Sequence, residues 1–166
     1  MHAMVAAFVL AWTAASGAAA APGPGDVPPP DLGHTIGGDE VQLPSYAGKA
    51  VIVTFWATWC TYCLKELPIL DAVQTKAGKA QMAVIAVNIE DRDVFRRAVR
   101  LLRDSVHFEL VSDARGAAQE AFGVKGIPHM VILGRDGRIL KVYRGYSEKN
   151  LDAIVADINL ALAPLP

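Results

Sequence analysis

Val51, Ile52, Val53, Thr54, Phe55 and Trp56 form a β-branched and aromatic run entered from a turn at Gly48. A run without polar alternation predicts a short strand buried on both faces. From Thr61 to about Ala77, Leu64, Leu67, Leu70 and Val73 recur at helical spacing, which predicts a helix that Pro68 should kink. Met82 to Asn88 repeats the buried-strand pattern. Arg92 to about Arg103 is amphipathic, with Val94, Phe95, Ala98, Val99 and Leu102 on one side and Arg92, Arg96, Arg97, Arg100 and Arg103 on the other. We read that basic side as a solvated helix face. A short strand at Phe108 to Val111 and a helix from Gly116 to Phe122 follow. Met130 to Leu133 and Ile139 to Arg144 flank Asp136-Gly137, a strong hairpin signal. The last helix runs from Ser147 to about Leu162, with Leu151, Ile154, Val155 and Ile158 as its stripe. Strands alternating with helices and ending in an antiparallel hairpin define an α/β fold with a mixed sheet.

Two segments before Leu32 stand apart from this pattern. Residues 1–21 carry an apolar run through Val5, Phe8, Val9, Leu10 and Trp12 that ends in small residues, and read as a secretory signal peptide cleaved near Ala19 to Ala21. The run is shorter than the ~20 residues that span a bilayer comfortably, so membrane contact is expected only if the signal stays uncleaved. Residues 22–31, with Pro22, Pro24 and Pro28 to Pro30, read as an extended linker, and the domain occupies 32–166.

Of the 166 residues, 52% are hydrophobic and 20% charged, enough apolar material for one core. A net charge of −1 leaves no basic field to attract nucleic acid. Export changes the reading of the two cysteines, because disulfides persist in oxidising compartments. A domain stapled by structural disulfides would scatter more cysteines at longer spacings. Cys60 and Cys63 look chemical.

Trp59-Cys60-Thr61-Tyr62-Cys63 lies where a buried strand gives way to a helix, so free N–H groups and the helix dipole favour a thiolate on Cys60. Such placement lowers a cysteine pKa from ~8.5 to between ~3.5 and ~7.5. Cys60 is therefore the expected nucleophile, and Cys63, one turn on, the resolving thiol. A structural zinc site needs four ligands, and His2, His34, His107 and His129 are not at ligand spacing. A disulfide closing so small a loop removes little unfolded-chain entropy and would be a poor staple. Copper(I), which suits two soft thiolates, is the more serious competitor.

Phe55-Trp56-Ala57-Thr58-Trp59-Cys60 with Cys63, then Glu66-Leu67-Pro68, Gly123-Val124-Lys125-Gly126-Ile127-Pro128 and Asp136-Gly137, resembles the TlpA/ResA/CcmG-type thioredoxin-like thiol-disulfide oxidoreductase family. The resemblance implies a thioredoxin fold with a strand-helix insertion before the proline loop, and a cis peptide at Ile127-Pro128. It implies that this loop faces the dithiol, where Ile127 and Pro128 bind an extended substrate segment beside Trp59. Glu66, one turn after Cys63, matches a glutamate of the exported family and, if buried, could move a proton to or from Cys63. Cytosolic thioredoxins carry an Asp where this chain has Thr54, and many relatives have proline at Tyr62.

The function implied is an exported, periplasmic or otherwise extracytoplasmic, reductase of protein disulfides in cytochrome c or cytochrome oxidase copper-site maturation. A membrane thiol donor would supply electrons. We expect a monomer with no cofactor beyond the Cys60–Cys63 disulfide and no resident metal. The rival readings are a copper(I)-binding chaperone using the same dithiol and a disulfide-introducing oxidase.

Overall fold

The computed structural model describes residues 20–164, so the signal-peptide reading of 1–21 lies almost wholly outside the described residues. The strands are β1 (Asp31–His34), β2 (Glu40–Gln42), β3 (Ala50–Trp56), β4 (Met82–Asn88), β5 (Glu109–Ser112), β6 (His129–Leu133) and β7 (Ile139–Arg144). The helices are α1 (Thr61–Ala77), α2 (Arg92–Leu102), α3 (Ala117–Ala121) and α4 (Leu151–Leu162). The strands form one mixed sheet in the order β2-β1-β5-β4-β3-β6-β7. β3, β4 and β5 are parallel, and β1, β6 and β7 run antiparallel to their neighbours.

Central burial of β3 follows from its sequence, since every residue of Ala50–Trp56 is buried. Its side chains alternate between two cores: Ala50, Ile52 and Trp56 face one, Val51, Val53 and Phe55 the other. The first core is closed by α1, α2 and α4 through Leu67, Leu70, Ala98, Ile158 and Ala161. The second is closed by α3 and the N-terminal strands through Ala118, Phe122, Leu32 and Val41. Two strand-helix units, β4-α2 and β5-α3, separate α1 from Pro128, leaving room for the one strand-helix insertion the resemblance implied.

Three local details depart from the sequence pattern. Leu64, expected on the buried stripe of α1, is 41% exposed, while Glu66 and Gln74 are buried. Each polar side chain goes inside because it finds a partner there. Glu66 accepts from the Thr54 hydroxyl, and Gln74 Oε1 accepts the Val84 N–H at 2.7 Å, at a point of β4 that β5 does not reach. α4 is preceded by a short 3-10 turn over Glu148–Asn150, and its inward residues are Ile158 and Ala161 rather than Leu151 and Val155. Finally, residues 22–30 run along the domain. Gly25 N–H donates to the Ile139 carbonyl and Ile139 N–H to the Asp26 carbonyl, at 2.8 and 2.9 Å, and Pro28 is buried.

Candidate functional site

β3 ends at Trp56, and four residues later α1 begins with Cys60 as its N-cap. Cys60 and Cys63 are joined in a disulfide, with Cα atoms 5.2 Å apart. The Cys60 Sγ accepts a hydrogen bond from the Cys63 N–H at 3.1 Å, one of the donors that a helix start leaves free. The same donor stands ready to stabilise negative charge on this sulfur once the bond is reduced. The two cysteines differ in exposure: Cys60 is 7% exposed and Cys63 1%. Trp59 and Tyr62 stand out beside them as exposed aromatic rings. Tyr62 stacks on Tyr146 with ring centroids 5.1 Å apart, tying the first turn of α1 to the segment after β7, and Lys65 Nζ lies 5.7 Å from the Tyr62 centroid.

Glu66 lies on the buried side of α1 with Cys63. Burial pushes its carboxyl pKa up, and the Thr54 hydroxyl, donating at 2.7 Å, pulls it only partly back. A narrow cleft of about 40 Å³ joins Glu66 to Pro128, Met130, Tyr143 and Tyr146 and gives the carboxyl a route to solvent. Below it, Tyr143 donates to Asp157 at 2.6 Å and fastens β7 to α4; burial and that carboxylate raise the phenol to about 12.

The Ile127-Pro128 peptide is cis. Register places this loop at the site, because β6 pairs antiparallel with β3 and Phe55 lies opposite His129, so Pro128 falls at the end of β3 that leads to Cys60. Ile127 packs against the core cluster that contains both cysteines. The structure thus brings Cys60, Cys63, Glu66, Ile127 and Pro128 to one end of the sheet, with Trp59 exposed at its rim.

Sequence reasoning missed two residues there. Glu90 bonds the loop before Cys60 with both carboxylate oxygens: Thr58 N–H donates at 2.6 Å and the Thr58 hydroxyl at 2.9 Å. Asn88 Nδ2 also donates to Glu90, and the Asn88 carbonyl oxygen of the side chain accepts the Glu90 N–H. A carboxylate just past the carboxyl end of a parallel strand was the available signal. The second is His129, 1% exposed, edge-on to Phe55, with neither ring nitrogen hydrogen-bonded. Burial, helped by the Arg144 charge, lowers its pKa to about 4, so the ring is neutral near neutral pH. Among the described residues no group of three or more His, Cys, Asp or Glu side chains could hold a metal ion.

A Cys-x-x-Cys disulfide at a helix start, beside a cis-proline loop on this sheet, defines the thioredoxin-fold class of dithiol proteins. The Redoxin family model matches residues 25–158, and the chain belongs to the Redoxin family. Relatives include the thiol-disulfide oxidoreductase ResA of Bacillus thuringiensis subsp. konkukian, 26% identical over 114 residues. That match covers 68% of this chain and 64% of ResA, so the chain spans less than two thirds of that relative. The thioredoxin-like protein YneN of Bacillus subtilis is 31% identical over 117 residues, covering 69% of this chain and 68% of YneN. A crystal structure of a thiol:disulfide interchange protein of the thioredoxin family from Chlorobium tepidum superposes with a TM-score of 0.63 at 26% identity, covering 88% of this chain and all of that one.

Proposed function

We propose that this protein is a thiol-disulfide oxidoreductase that reduces protein disulfides outside the cytoplasm, with Cys60 as nucleophile and Cys63 as resolving thiol. The observation that carries this reading is the asymmetry of the pair: Cys60 caps the helix, accepts the Cys63 N–H and keeps 7% exposure, against 1% for Cys63. The Cys60 thiolate attacks one sulfur of a client disulfide, a Cys60-client disulfide forms, and the first client sulfur leaves as a thiolate that takes a proton from solvent. Cys63 then loses its proton to Glu66 and attacks the Cys60 sulfur, expelling the second client thiolate. Two electrons have passed to the client, and the protein is left with the Cys60–Cys63 disulfide. A carboxyl whose pKa burial has raised exchanges a proton nearer neutral pH than an exposed one, which suits Glu66 to this step.

The client enters as an extended segment against Ile127 and Pro128, with Trp59 beside it. Its class is a protein with paired cysteines, such as the haem-binding cysteines of an apocytochrome c or the copper-site cysteines of cytochrome oxidase. A membrane thiol donor restores the dithiol. Residues 1–21 act as the export signal, the chain from 22 runs along the domain and enters its sheet at Asp31, and the domain works as a monomer. A Cys63→Ser variant tests this reading, because it removes resolution but not attack. It should accumulate a mixed disulfide between Cys60 and its client; a variant that captures nothing above a Cys60→Ser, Cys63→Ser control contradicts the proposal.

A further inference from the structure

The sheet has a second place where ligands are expected on topological grounds. α2, which follows β4, packs into the same core as α1, whereas α3, which follows the neighbouring strand β5, packs on the opposite face. Adjacent parallel strands whose following helices leave to opposite faces open a crevice at their carboxyl ends, and open α/β sheets bind ligands in such crevices. Here the crevice is a cleft of about 250 Å³ between the start of α2, the turn from β5 to α3, and β1.

The lining is mixed, more apolar than polar, and carries two arginines. Ser112, the last residue of β5, is 8% exposed, and its hydroxyl has no hydrogen-bond partner. That hydroxyl oxygen is closed off from solvent, so it lies behind the cleft wall rather than open to a ligand. Arg92 and Arg115 both line the cleft, and neither is within salt-bridge distance of a carboxylate among the described residues. Arg92 extends over the β1-β2 turn towards Gly38, and His34 adds an imidazole from β1.

Two carboxylates also line the cleft, and both are engaged by backbone. Asp113 takes the N–H groups of Ala118 and Gln119 at 3.2 and 2.8 Å, and Asp31 takes the Gly33 N–H at 2.9 Å. Gly33 has φ +108, and a Cβ there would collide with the Ser112 carbonyl, so the close approach of β1 to β5 that shapes this wall requires glycine. With two arginines set against two aspartates, selectivity comes from directed donors rather than from a net field.

We propose that this cleft binds a small oxyanion, of the phosphate or carboxylate type, between the guanidinium groups of Arg92 and Arg115. Planar guanidinium forks pair with both kinds of anion through two oxygens at once. The cleft shares no lining residue with the dithiol site.

Titration of the oxidised, isotope-labelled protein with inorganic phosphate and, separately, with succinate in about 0.15 M sodium chloride tests the proposal by amide chemical shifts. The expected result is a saturable shift at Gly33, His34, Ser112 and Arg115 with a Kd of about 1 mM or tighter for one of the two anions, and that anion names the source. Arg92→Ala with Arg115→Ala should weaken binding at least about tenfold. Shifts that stay linear for both anions, or that persist unchanged in the double arginine variant, would overturn it. No arm uses the thiols, so this result stands apart from the test of the reductase reading.

Discussion

Thr54 and Glu66 meet in the core: the hydroxyl on β3 donates to the carboxylate on α1 at 2.7 Å, twelve residues away and directly behind the disulfide helix start. The relationship makes a buried acid tolerable without holding it fully ionised, because burial outweighs the single donor and the pKa stays raised. Glu66→Gln keeps the shape and an oxygen for Thr54 but cannot take a proton. The resolving step should slow by about a hundredfold, a common size for lost general acid-base catalysis, while the first attack by Cys60 keeps its rate. Stopped-flow measurement of mixed-disulfide formation and decay separates the two.

The same substitution has a signed effect on stability. A carboxyl whose folded pKa is raised binds its proton more readily in the native state, so its contribution is fully present below the unfolded value and is lost as pH rises through the folded one. Glu66→Gln removes that loss. Its midpoint in urea should match the wild type near pH 4 and exceed it near pH 7 to 8, by chemical denaturation across that range.

Glu90 holds Thr58 through both oxygens and so fixes the loop two residues before the nucleophile. Glu90→Ala leaves the Thr58 N–H and hydroxyl without this carboxylate, and charge-assisted bonds of this kind contribute about 1.5–3 kcal/mol each at most. Hydrogen exchange at Thr58 should accelerate by at least about tenfold, with little change at Val84, whose N–H is held by Gln74. Reactivity of Cys60 should fall because its approach geometry is no longer fixed.

His129 is a buried imidazole with two unpaired nitrogens and a pKa lowered to about 4. Its folded pKa lies below the unfolded value of ~6.5, so between those values the unfolded chain binds more protons and stability falls as pH falls. The loss is on the order of 3 kcal/mol by about pH 4. His129→Leu should abolish this part of the acid limb and leave stability at pH 7 equal or higher, since no hydrogen bond is given up. Thermal melts at pH 7 and pH 5 give the comparison.

Much of this was legible in the chain because the informative residues are local. The span of β4 and β7 and the start of α1 follow from runs and spacing alone, and Cys60-Thr61-Tyr62-Cys63 announces its chemistry within four positions. β1 and β2 left no pattern, since each has a single buried residue, Leu32 and Val41, and gains its place from pairing. Leu64 misled because the inward face of α1 is set by the disulfide and by partners for Glu66 and Gln74, which helical periodicity does not record. Glu90 stayed hidden because its meaning lies in Thr58, thirty-two residues away in sequence.

The most direct test of the account is the titration of Cys60 in the reduced protein, followed by thiolate absorbance and by alkylation rate in a Cys63→Ser background. A helix-capping sulfur that receives an N–H should titrate below ~7.5, against ~8.5 for a free cysteine. A value at or above ~8.5, or alkylation no faster than that of an unfolded peptide at the same pH, would contradict Cys60 as the nucleophile.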